Sequence, residues 1–297
     1  MKKVFLTITA FILAVSVFGQ EVKTDTIPDG WTYVANTAIN ISQTSFSNWS
    51  LGGEGSVGGI AVLNLGANYK QDRHTWDNSF VGQYGIQKID GESSKKSIDM
   101  FDLNSKYGYQ IAPKWSLAGL LGVKSQFANG YNYLDNGERS KISSFFAPGY
   151  VTTSVGFDYK PNTWFSALLS PLTGKYTFVA DDELSDAGAF GVDPGDKFMA
   201  ELGAMINAKM QKDIMKNVNL ASTLTLFSAY TNNFGNIDVS WDVVLGMKVN
   251  KYISATISTS LLYDDDIDYI NEKGVNEGPK VQFKEVIGVG FSYNFME

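Results

Sequence analysis

Cysteine is absent from all 297 residues, so a disulfide framework, a lipid carried on an N-terminal cysteine and thiolate catalysis are all excluded. Histidine occurs once, at His74, and proline only seven times. A basic excess is missing too: 24 Lys and Arg stand against 31 Asp and Glu, which excludes the positive footprint of a nucleic-acid-binding protein. Beyond the first twenty residues no run of 18 apolar residues occurs, so no helical membrane span is expected. What the chain has in quantity is aromatic residues (13%) and glycine (29 residues), a composition open to both soluble and membrane β proteins.

The N-terminus carries Lys2 and Lys3, an apolar stretch from Val4 to Phe18 broken only by Thr7, Thr9 and Ser16, and then Gly19. This is the pattern of a secretory signal peptide over residues 1–19, with Val17 and Gly19 at the small-residue positions and cleavage expected before Gln20. The apolar run is shorter than the ~20 residues that a spanning helix needs. Residues 20–30 are then expected to form a short periplasmic segment and 31–297 the folded body. Loss of Lys2 and Lys3 would leave 22 basic against 31 acidic residues, a formal charge of −9.

From Trp31 onward the chain alternates with period two, the signature of strands whose two faces differ chemically. About twelve such stretches can be marked, among them Trp31 to Ser45, His74 to Ile89, Trp164 to Phe178, Asp196 to Gln211 and Lys280 to Phe295. Their connections alternate between short ones (QDR after Lys70, IAP before Lys114, KPNT around Asn162, KDIMK around Ile214, Lys251) and longer ones around Trp49, Ser93, Asn136, Asp186, Asn233 and Lys273. Short periplasmic turns and long outer loops are the asymmetry of an outer-membrane barrel. The expected fold is therefore all-β: a transmembrane antiparallel up-and-down β-barrel of about twelve strands, in the outer membrane of a Gram-negative-type bacterium.

The phase of the alternation assigns the faces. Ile237, Val239, Trp241, Val243, Leu245, Met247 and Val249 share one face, expected to meet lipid; Asp238, Ser240, Asp242, Gly246 and Lys248 share the other with Val244. Phe198, Ala200, Leu202, Ala204, Ile206 and Ala208 oppose Lys197, Glu201, Gly203, Asn207 and Lys209 in the same way. The lumen is thus expected to carry both charge signs, with Lys106, Lys124, Asp158, Glu201, Lys209, Asp238, Asp242 and Lys248 as lining candidates and Lys88, Asp102 and Lys160 beside them. Aromatics beside the short turns (Trp31, Tyr33, Tyr69, Trp76, Tyr107, Tyr109, Trp115, Tyr159, Trp164, Tyr252, Tyr293) read as the inner interfacial girdle. The last strand alternates Ile287, Val289, Phe291, Tyr293 and Phe295 against Gly288, Gly290, Ser292 and Asn294. It resembles the C-terminal signal recognised by barrel-assembly machinery, which makes that machinery an expected partner through Phe295, alongside outer-membrane lipid and lipopolysaccharide. Glu285 on its lipid phase lies about 25 Å up a tilted strand, at the edge of the apolar band.

The strings QTSFSNWSLGGEGS, FAPGYVTTSVGFDYKPN, SPLTGKYTFV, AGAFGVDPG, KDIMKNVNL, YDDDI and QFKEVIGVGFSYNF together resemble an uncharacterised domain-of-unknown-function family of bacterial exported outer-membrane barrels. The resemblance spans almost all of the chain beyond residue 19. It implies fold and location, and no activity that can be assigned to a residue.

Motifs that carry chemistry are few. Barrel phospholipases and outer-membrane proteases, which resemble this size class, use a histidine near the membrane boundary or outer rim. His74 falls at a periplasmic turn instead, so no catalytic residue and no enzyme is expected. Gly53, Gly55 and Gly58 have the G-x-G-x-x-G spacing, but a strand follows rather than a helix, and no cofactor is expected. Asp264, Asp265, Asp266 and Asp268 form a candidate weak Ca²⁺ cluster without EF-hand spacing, with solvated loop charge as the alternative. In SPLTGK, Pro171 stops ladder donation and Gly174 permits a bend, which would suit a loop folded inward over the lumen. The leading functional reading is a narrow passive channel or solute-specific transport barrel. The alternative is a structural or surface-interaction barrel binding a partner or lipid through its long loops, with an outer-membrane enzyme third.

Overall fold

The structure, a computed structural model, describes residues 29–44, 56–89, 91–133, 138–231, 234–250, 253–270 and 276–294. In chain order its strands are β1 (Gly30–Thr44), β2 (Ser56–Gln71), β3 (His74–Ile89), β4 (Lys95–Ala112), β5 (Trp115–Ser125), β6 (Gly130–Tyr133), β7 (Arg139–Ser143), β8 (Gly149–Asn162), β9 (Phe165–Phe178), β10 (Phe198–Met215), β11 (Val218–Ala229), β12 (Asp238–Lys248), β13 (Ile253–Tyr263), β14 (Asp268–Ile270), β15 (Asn276–Pro279) and β16 (Gln282–Asn294). Twelve of them close into one antiparallel barrel, in the order β1-β2-β3-β4-β5-β8-β9-β10-β11-β12-β13-β16, and β16 returns to β1 through Asn36↔Asn294 and Ile39↔Phe291. The remaining four form two hairpins, β6-β7 and β14-β15, outside the wall. The signal segment, the first outer loop with Trp49, Gly53 and Gly55, and the positions Asn136, Asn233, Lys251, Tyr252, Lys273 and Phe295 lie outside the described residues.

Four of the turns at one end hold two residues each between paired neighbours: Gln71↔His74, Ala112↔Trp115, Asn162↔Phe165 and Met215↔Val218. Asp72 (φ 53°) and Asn217 (φ 63°) take the left-handed conformation that such hairpins require, one that Asp and Asn tolerate better than bulkier residues. Asn217 also corrects the expected KDIMK turn: β10 continues through Ile214 to Met215 before the chain reverses. At the other end β5 stops at Ser125 and β8 starts at Gly149; between them lie the β6-β7 hairpin and, just before β8, a tight turn in which Ser144 and Ala147 exchange backbone hydrogen bonds (2.8 and 3.0 Å).

SPLTGK is not a loop over the lumen. It lies inside β9, where the pairing with β8 slips between Val155 and Phe157 and the pairing with β10 slips between Gly203 and Met205. Pro171 cannot donate to a ladder, so the strand bulges there. The Ser170 hydroxyl lies 2.9 Å from both the Val155 and Leu172 carbonyl oxygens, and the Thr173 hydroxyl donates to it at 2.8 Å. Opposite the bulge, a Cβ on Gly156 would sit 2.2 Å from the Leu169 carbonyl oxygen, so only glycine fits. The extra residue reverses the side-chain phase: Leu168 and Ser170 point inward before it, and Thr173 and Thr177 after it.

The outer face is apolar and the inner face polar, as the phase predicted. Ile39, Leu65, Leu103, Leu121, Val155, Leu169, Ile206 and Trp241 are exposed on the outside, while Asn36, Asn40, Gln83, Ser154, Asp158, Thr256 and Glu201 are buried within. An apolar belt around a closed hydrogen-bonded wall is what a bilayer requires, since a closed wall leaves no strand edge to be hydrated inside lipid. Beside the two-residue turns the aromatics pack on one another: Trp31 on Tyr33, Tyr69 and Trp76, and Trp115 on Tyr159. The interior also holds an apolar patch on one wall, made by Ala118, Leu168, Met205, Phe227 and Ala229 with Leu120 against it.

Beyond the rim opposite the two-residue turns, the segment between β9 and β10 forms a cap. Its helix α1 (Asp182–Asp186) is N-capped by Asp181, whose carboxylate accepts from Leu184 N at 3.2 Å. Val179, Leu184 and Val192 pack with Ala147 into a small core. Lys141 of β7 bonds Asp181 at 2.8 Å and holds that carboxyl below its usual range.

Candidate functional site in the lumen

Two belts of ion pairs cross the interior. In the outer one, Lys175 of β9 reaches Asp238 of β12 at 2.6 Å, Asp264 just beyond β13 at 2.9 Å and Glu201 of β10 at 3.2 Å. Glu201 is its direct cross-strand neighbour, but Asp238 lies three strands away around the wall. The ammonium also sits 5.5 Å from the Phe227 ring. In the inner belt, Lys106 of β4 meets Asp158 of β8 at 2.9 Å, while Lys160 reaches Asp77 of β3 at 3.2 Å and Asp158 at 3.5 Å. Asp158 is only 3% exposed, a burial that its lysine partners make tolerable.

The expected Ca²⁺ cluster is rearranged. Carboxylate oxygens of Asp264 and Asp265 come within 4.8 Å of each other and of Asp238, a residue the loop spacing did not include. Asp266 turns its backbone N–H to the Asp264 carboxylate at 3.0 Å and is not part of that group, and the side chain of Asp268 lies outside the described residues. The cation lying between Asp238 and Asp264 is the Lys175 ammonium.

The remaining lining candidates fall where the alternation put them, on the inward phase. Asp242 accepts from Ser260 Oγ at 2.5 Å, and Asp102 from Asn104 Nδ2 at 2.6 Å. Lys124, Lys209 and Lys248 are exposed, and none has a carboxylate within 4.0 Å among the described residues. Two participants in the belts escaped the sequence reading: Lys175 and Asp77. Lys175 was hidden by the Pro171 bulge, because a strict period of two counted from Phe165 puts it on the lipid side. His74 is where it was expected, at the first short turn, with Nδ1 2.5 Å from the Tyr107 hydroxyl and its ring on the edge of Tyr109. These contacts make it part of the aromatic packing beside that turn.

Residues 41–131 match a family described as a protein of unknown function (DUF3078), in agreement with the resemblance carried by the sequence strings. No curated protein matches the chain. Among solved structures it is similar to an outer-membrane channel from Pseudomonas putida F1 (13% identity, 94% of this chain and 100% of that one, TM-score 0.43). It is also similar to the NanC porin (12%, 87% and 98%, 0.37) and to the translocator domain of the autotransporter NalP from Neisseria meningitidis (11%, 91% and 90%, 0.37). The barrel assignment rests on the closed hydrogen-bond circuit of this chain, and these distant likenesses say nothing of its activity.

Proposed function

We propose that this protein resides in the outer membrane, exported by a cleaved signal peptide, and acts there as a narrow passive channel or solute-specific transport barrel. The observation that carries the reading is the state of Lys124, Lys209 and Lys248: inward-phase ammonium groups exposed to solvent inside a wall whose outer face is apolar. Twelve strands enclose a bore between the filled eight-stranded barrels and the wide porins. The two ion-pair belts narrow that bore to the passage of small solutes. Outer-membrane lipid and lipopolysaccharide are its surroundings, and the barrel-assembly machinery its partner during insertion. No catalytic step is assigned, since His74 is engaged with tyrosines.

A second reading has its own observation. The Lys175 struts and the apolar wall patch also suit a closed barrel that presents the β6-β7 and β14-β15 hairpins to a surface partner. Single-channel recording in planar bilayers separates the two. Reproducible open levels from inserted protein support the channel, and silence from protein shown to be inserted by its heat-dependent gel mobility contradicts it.

A further inference from the structure

The inward-facing charges are not treated alike by the fold. Most of the carboxylates are turned to the wall: Asp158, Glu201 and Asp264 are buried and Asp102, Asp238 and Asp242 are half-buried, all of them in a hydrogen bond except Glu201, which is ion-paired with Lys175, while the more open Asp77 is bonded to Lys160. The lysines outside the two belts do the opposite. Lys124, Lys209 and Lys284 are all exposed, with no carboxylate within 4.0 Å among the described residues.

Register places two of them in a single row. Lys209 pairs with Thr223, Thr223 with Asp242, Asp242 with Ser260, and Ser260 with Lys284, so one inward row across five strands runs lysine, hydroxyl, carboxylate, hydroxyl, lysine. The carboxylate at its centre is occupied by Ser260, which leaves the two flanking ammonium groups facing the lumen. Lys124 stands on β5, nearly opposite β16 in the strand order of the barrel.

We infer that the water-filled lumen selects small anions, and that Lys124, Lys209 and Lys284 are the residues that select them. This rests on the channel reading and names its substrate class. A permeating ion meets flexible ammonium groups in the aqueous path, whereas the carboxylates of both belts are held against their own lysines. In a narrow bore with low-dielectric walls, exposed fixed charge of one sign raises the local concentration of the other. The outer belt carries more acid than base, but its carboxylates are buried or half-buried around Lys175, whereas the three lysines are exposed.

The test is the reversal potential of inserted full-length protein across a KCl gradient, for the wild type and for the triple variant Lys124→Gln, Lys209→Gln, Lys284→Gln. The inference predicts chloride preferred over potassium in the wild type and a fall in that ratio of about threefold or more in the variant, with open levels retained. Should the triple variant not insert, Lys209→Gln and Lys284→Gln singly must each move the ratio the same way. A conducting wild type that prefers potassium, or variants with an unchanged ratio, overturns the anion assignment and leaves the channel standing. An inserted wild type that never conducts overturns both.

Discussion

The Lys175 ammonium lies 2.9 Å from the Asp264 carboxylate, tying β9 to the end of β13 with β10, β11 and β12 between them in the wall. A contact of that span crosses the bore instead of running along the wall. It leaves three carboxylates dependent on one cation, two of them buried.

Lys175→Met should therefore destabilise the barrel by about 3 kcal/mol, because removing one member of a buried ionic group leaves its partners uncompensated. Urea unfolding in lipid vesicles measures the loss. Adding Asp264→Asn to Lys175→Met should recover part of it, and a double variant no better than the single one would mean that the strut is not what holds these carboxylates.

The bulge in β9 depends on the Ser170 hydroxyl. Ser170→Ala leaves the Thr173 hydroxyl, fully buried, without its acceptor and should cost about 1 to 3 kcal/mol in the same measurement. Ser166, on the same strand outside the bulge, should tolerate alanine with little change.

Leu103 sits on the outer face midway along β4. Leu103→Arg should cost about 2 to 4 kcal/mol, the penalty for a charge near the bilayer midplane, whereas Lys209→Arg on the inner face should be neutral. Equal tolerance of the two would invert the assignment of the faces.

The absence of native cysteine makes single-cysteine labelling free of background. Asp193→Cys, in the exposed segment between β9 and β10, should react with a membrane-impermeant maleimide on intact cells. Arg73→Cys, in the first two-residue turn, should react only after lysis, and labelling of Arg73→Cys from outside would reverse the strand parity.

How much of this was legible in the sequence follows from the range of the interactions. Period two alone gave the twelve wall strands, with His74 to Ile89 correct at both ends, because each residue's face depends only on its neighbours in the chain. The same phase placed Asp158, Glu201, Asp238 and Lys209 inside. It could not place Lys175, since one extra residue at Pro171 reverses every side chain after it. Nor could it pair Lys175 with Asp264 or bring Asp238 to Asp265, because those distances are set by closure of the barrel. The acidic run after β13 suggested ligands from one loop, whereas the grouping that forms draws on β12 as well.

Closure of that wall is the central claim, and a disulfide across the seam tests it most directly. Ala38 of β1 and Ser292 of β16 are register partners 254 positions apart in the chain, and directly opposed antiparallel residues lie about 4.5–5.5 Å apart, within reach of a disulfide. The Ala38→Cys, Ser292→Cys variant should cross-link in the outer membrane upon mild oxidation. Cleaving one outer loop with protease should then yield two fragments that stay together on a non-reducing gel and separate when reduced. Two free thiols in membrane-embedded protein under the same oxidation, or fragments that part without reductant, would contradict a closed twelve-stranded barrel.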